Sequence, residues 1–211
     1  MATQLPPELT RAALYQLFGG LLLECASEQA LRDIHDQELL PTLAATAPDP
    51  GLSEALLRMH RALASDASIE QLRAEHAQLF LGATRSKSPP WESVYLSDEK
   101  LVWQGPAYAV LNSYVRAGFG YDGMTSVPPD HVGRELMFVA TLAVESANAE
   151  DEDRGAELAA ARRAFLEEHV LRWVPQFASD VRKNASTEFF QALADGLAIT
   201  LRTEAEGARA A

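Results

Sequence analysis

Along most of this 211-residue chain the apolar residues recur at the three- and four-residue spacing of a helix, and nowhere do they alternate as a half-buried strand requires. Leu9, Ala13, Leu17, Leu21 and Leu22 mark the first such stripe, opened by Pro6-Pro7-Glu8 in the way a first helical turn tolerates proline. This periodicity predicts a helix over about 7–26. A second, over 27–46, would be capped by Ser27 and closed by the turn residues of "TAPDPG", and a third would run near 52–64. Ser68-Ile69-Glu70-Gln71 has capping-box spacing ahead of a helix carrying Leu72, Leu79 and Phe80. Further on, Pro106 opens "AYAVLNSYVRA", and Leu136, Val139, Ala140 and Ala143 keep helical spacing in "VPPDHVGRELMFVATLAVESA". The acidic run 150–153 separates this from "AELAAARRAFLEEHVLRW", which Pro175 breaks or kinks, and a last helix spans about 187–205. With only three isoleucines, the chain reads as all-α: a single globular helical domain, 1–211, of about eight or more helices, with a flexible tail from about 205.

Charge and cysteine usage narrow the chemistry. The net charge of −12 comes with no Lys/Arg stripe that could follow a phosphate backbone, which disfavours nucleic acid and favours a basic partner. The lone Cys25 has no partner for an intrachain disulfide, and the N-terminal residues lack the basic-then-apolar pattern of a secretory signal. No stretch of 18 apolar residues exists, so no membrane insertion is expected and the cytoplasm is the expected compartment. No HExxH, GxSxG, Walker loop or CxxC occurs, and none of the five histidines follows a glutamate by three residues. The expectation is a protein without catalytic residues, metal or cofactor. Gly118, Gly120 and Gly123 of "GFGYDG" do spell GxGxxG. That motif holds a pyrophosphate only between a strand and a helix, whereas here a helix precedes it. A helix C-cap followed by a loop is the expected reading, with a small-ligand or nucleotide-binding regulator as the alternative function.

One segment departs from the Ala/Leu-rich helical background: "SKSPPWESVYLSDEKLVW", Ser86 to Trp103, with two prolines, a tyrosine and two of the three tryptophans. The stretch "HAQLFLGATRSKSPPWESVYL" resembles the TorD/DmsD family of redox-enzyme maturation chaperones, to which NarJ-type chaperones are related. "PPDHVGREL" is similar to that family's second signature. "FLEEHVLRWVPQFASDVRKNASTEFFQALADGLA" is similar to its C-terminal block. The resemblance implies an all-helical chaperone that binds the twin-arginine signal peptide of a molybdoenzyme subunit, or its apo-form, in the cytoplasm and assists assembly before export. The export translocase is expected as a further partner, and the long loops between helices permit either a monomer or a domain-swapped homodimer. The resemblance places peptide contacts on Leu79, Phe80 and Gly82, on Pro89, Pro90, Trp91, Glu92, Ser93 and Tyr95, and on Asp130 and His131. Trp91 either plugs the core under the loop or packs on the peptide. Asp130 either caps a helix or meets the peptide's arginines, and His131 is either a satisfied buried histidine or a donor to the peptide. His76, His169 and Trp173 read as structural. The family carries acidic residues where Val127 and Pro129 stand here, so Asp122, Glu135 or the 150–153 patch are the candidates for a replacement carboxylate.

Overall fold

A computed structural model describes residues 7–23, 28–63, 66–81, 86–120 and 127–210. Among them there is no strand, and a lone antiparallel bridge joins Trp91 to His131. The helices are α1 (Pro7–Leu23), α2 (Glu28–Asp36), α3 (Leu39–Thr46), α4 (Pro50–Ala62), α5 (Asp66–Phe80), α6 (Glu92–Leu96), α7 (Gly105–Arg116), α8 (Val132–Ala147), α9 (Glu152–Phe165), α10 (Leu171–Asn184) and α11 (Glu188–Ala210). A single π turn, Leu166–Val170, lies between α9 and α10.

The all-α expectation holds, and several boundaries move for local reasons. The stretch 27–46 is two helices, because Glu38 adopts φ 51° and turns the chain between α2 and α3. The third helix starts two residues early, where the Asp49 carboxylate accepts from the Gly51 and Leu52 N–H groups ahead of Pro50. Ser68 lies inside α5, which begins at Asp66. The acidic run begins α9: Asp151 caps it, and Glu152 and Asp153 occupy the first turn, where carboxylates offset the N-terminal dipole. Pro175 sits within α10 instead of ending it, and α11 continues to Ala210.

The chain divides into two compact units. The first combines α2–α5 with residues 175–184 of α10 and with α11. Its centre is aromatic: Phe80 packs against His76, Phe177 and Phe190, with centroids 5.0 to 6.0 Å apart. The Glu75 carboxylate accepts from both backbone N–H groups and the Ser186 hydroxyl at the turn into α11. Burial alone would raise its pKa, but these hydrogen bonds hold it below the usual carboxylate value. Arg58 bridges Glu188 and Asp195 of α11.

The second unit combines α1 with residues 90–174. Here α1 and α8 approach so closely that a Cβ on Gly133 would lie 2.6 Å from the Gly19 carbonyl oxygen, and one on Gly19 would lie 2.9 Å from the Gly133 carbonyl oxygen. Tyr114, Phe138 and Phe165 form an aromatic cluster between α7, α8 and α9, with centroids 4.5 to 5.8 Å apart.

Candidate functional site

The aromatic segment is fixed to the start of α8 by hydrogen bonds that reach across 37 residues of sequence. Asp130 Oδ2 accepts from the Ser93 N–H at 2.8 Å and from the Ser93 hydroxyl at 2.5 Å. On the backbone, the Glu92 N–H donates to the Asp130 carbonyl at 3.0 Å, and the Val132 N–H donates to the Pro90 carbonyl at 2.9 Å. Asp130 is fully buried. It does not cap α8; the N-cap is His131, whose Nδ1 accepts the Gly133 N–H at 3.1 Å. His131 is buried as well, edge-on to the Trp91 ring at 5.7 Å. Both Pro128 and Pro129 are buried, and the Tyr114 hydroxyl donates to the Pro129 carbonyl at 2.9 Å, which seats the turn from below.

Under this clamp lies a run of buried polar groups. Glu92, at the first position of α6, is buried and faces His169 of the π turn, Oε2 to Nδ1 3.0 Å. The other ring nitrogen of His169 is 3.1 Å from the Ser113 hydroxyl of α7. Glu135, one turn into α8, accepts from the Trp173 indole N–H at 3.0 Å, and the Trp173 ring packs on Tyr95 at 5.2 Å. His169, within the π turn, and Trp173, in the first turn of α10, thus hold Glu92 and Glu135 in place.

Burial shifts Glu135 and Asp130 toward their neutral forms. Burial pushes Glu135 well above the usual carboxylate range, and the Glu92 charge adds to this against the Trp173 hydrogen bond. Burial also raises Asp130, with the Ser93 hydrogen bonds opposing it and the Glu92 charge reinforcing it. A carboxyl whose folded pKa lies above its unfolded one stabilises fully below the unfolded value, and that stability is lost as pH rises through the folded value. Stability drawn from these two groups is therefore expected to fall as pH rises above about 4 to 5. Glu135→Gln mimics the neutral form and can still accept from Trp173. In thermal melts it should gain more over the native chain at pH 8 than at pH 5, by about 2 to 4 °C for each kcal/mol relieved. An equal effect at both pH values would contradict a neutral Glu135.

The residues read from sequence fall in three groups. Pro90, Trp91, Glu92, Ser93, Tyr95, Asp130 and His131 come together in the second unit, where Trp91 and Tyr95 are half-buried and Glu92, Ser93, Asp130 and His131 are buried. Leu79 and Phe80 are core residues of the first unit, to which half-buried Pro89 also belongs. Gly82 lies outside the described residues. Of the glycine motif, Gly118 has φ 87° and ends α7, with its N–H on the Val115 carbonyl and the Phe119 N–H on that of Tyr114. Gly120 is exposed, and Gly123 lies outside the described residues, as does Asp122. No described helix is long and apolar enough to cross a membrane.

Comparison with known proteins adds the family. Residues 45–179 match the family described as nitrate reductase delta subunit. The chain is similar to the chaperone protein TorD of Photobacterium profundum, with 26% identity over 86% of each chain. It is similar to a protein named as Tat proofreading chaperone DmsD in Haemophilus influenzae, with 30% identity over 59% of this chain and 56% of that one. Its fold is similar to the crystal structure of a redox enzyme maturation protein from Archaeoglobus fulgidus, at TM-score 0.54 and 22% identity over 91% of this chain and 93% of that one.

Proposed function

The chain belongs to the nitrate reductase delta subunit family, its named relatives are chaperones and not enzymes, and on that premise we propose that it binds the twin-arginine signal peptide of a molybdoenzyme subunit. In this reading it acts in the cytoplasm and keeps the client from the export translocase until the cofactor is in place. The observation that carries the reading is the clamp between Pro90–Ser93 and Asp130–Val132. Two segments far apart in sequence form one frame in the second unit, and that frame holds Trp91 and Tyr95 half-buried. Asp130 and His131 contribute by shaping this frame, since both are buried and already hydrogen-bonded.

The chemistry of the client suits such a surface. A twin-arginine signal joins a cationic segment to an apolar helix-forming one, so its receptor needs apolar surface rimmed by negative charge, and this chain carries −12. Burying roughly 400 Å² of apolar peptide contributes about 10 kcal/mol. Association and ordering remove on the order of 4 to 15 kcal/mol. The remainder is at most about 6 kcal/mol, short of the roughly 8 kcal/mol of a micromolar complex, so charged contacts to the arginines must supply the rest, and binding of that order still allows the client to be released. Purification from its native cells, with mass spectrometry of bound proteins, is expected to return a precursor bearing paired arginines. Recovery of proteins without such a signal would contradict the proposal.

A further inference from the structure

The second unit turns a stripe of four large apolar side chains, spread over residues 101–115, to solvent. Leu101 is 49% exposed, Trp103 41%, Tyr108 56% and Val115 62%. The Trp103 and Tyr108 rings stand 6.3 Å apart and form one aromatic face, and Tyr108 and Val115 are two helical turns apart on the same side of α7. Single exposed apolar residues need no explanation, but an adjoining exposed aromatic pair flanked by two more apolar residues does.

The backbone beneath the stripe is strained. Trp103 has φ 59° and Lys100 has φ 54°. For a bulky L-residue this region is costly and persists only where the surroundings impose it. The Trp103 ring is turned outward, so core burial does not offset the cost. Charge adds a direction: exposed Asp98 and Glu99 lead directly into the stripe. The cations nearby are occupied. Lys100 Nζ donates to the Tyr95 carbonyl at 3.0 Å, and Arg116, at the far end, donates to the Ser113 hydroxyl and faces Glu168.

We propose that Leu101, Trp103 and Tyr108, together with Asp98 and Glu99, form the docking surface for the arginine-bearing end of the client's signal peptide. This assignment rests on the functional reading above and names residues outside the clamp. A guanidinium stacks on aromatic faces while its N–H fork meets a carboxylate, and this stripe offers both within a few residues. The apolar part of the peptide then follows Leu101 and the outer face of α7 toward Val115.

The test is fluorescence anisotropy with a fluorescein-labelled peptide carrying two adjacent arginines ahead of a leucine- and alanine-rich stretch. The native chain should bind it, and Tyr108→Ala and Trp103→Gly should each weaken binding about tenfold. Glycine accepts the left-handed backbone freely, so Trp103→Gly should melt no lower than the native chain while losing affinity. That combination is not expected of a merely structural tryptophan. Binding by the native chain with unchanged affinity in both variants would overturn the surface and leave the proposed function standing. Equal affinity for a peptide with glutamines in place of the arginines would overturn the arginine assignment. No binding by the native chain would overturn both.

Discussion

Gly133→Ala is expected to lower the melting temperature by about 4 to 8 °C, whereas Gly20→Ala, on the same pair of packed helices, should leave it unchanged or raise it. The two glycines differ in what a methyl group would meet. At Gly133 it would lie 2.6 Å from the Gly19 carbonyl oxygen and from Leu23 Cβ, and 2.8 Å from the Leu23 nitrogen. Two of those atoms are backbone inside a helix and cannot swing aside, so α1 and α8 must separate. Overpacking of that kind costs about 3 kcal/mol. Better helix propensity returns about 1 kcal/mol, leaving a net loss of about 2 kcal/mol or more. A Cβ on Gly20 meets nothing within 4 Å, so only the propensity gain remains. Denaturation of the two variants side by side checks the claim, and equal effects would show that the α1–α8 approach is not the constraint described here.

The second large effect belongs to Asp130. Asp130→Ala removes the acceptor for the buried Ser93 N–H and hydroxyl, and each donor left unsatisfied costs about 1 to 3 kcal/mol. A loss near 3 kcal/mol is expected in chemical denaturation, together with a change in the near-ultraviolet signal of Trp91, which follows the clamp through His131. Asp130→Asn keeps an acceptor oxygen and removes a charge that burial already disfavours, so it should cost less than about 1 kcal/mol. If alanine and asparagine behaved alike, the carboxamide would not be replacing the clamp, and the role assigned to the Asp130–Ser93 contact would fail.

Much of the helical framework was legible from periodicity and punctuation. Pro106 at the first turn of α7 and Gly118 just past its end act as a helix start and stop should, and the apolar stripe of α8 is the face it buries. What was not legible depends on contacts distant in sequence. Asp130 and His131 are both competent caps. His131 takes the role because Ser93, 37 residues away, claims the Asp130 carboxylate. The turn at Glu38 needs a left-handed residue where no glycine or asparagine announces one. From sequence Glu92 reads as a peptide contact, Glu135 as a candidate replacement carboxylate and His169 as structural; that both carboxyls are buried, against His169 and Trp173, was not legible because charged side chains are seldom fully buried. Trp103 belonged to a stretch singled out for its aromatic content, yet a tryptophan with positive φ, held out to solvent, leaves no trace in composition or spacing.

The central claim is that this chain recognises paired arginines joined to an apolar segment. The most direct measurement is calorimetric titration of the full chain with the signal peptide of a precursor recovered with it, alongside the same peptide carrying glutamines for its two arginines. The account predicts one-to-one binding near micromolar, weakening as salt is raised, and a loss of about tenfold or more for the glutamine peptide. Absence of binding, or equal and salt-independent affinity for the two peptides, would contradict it.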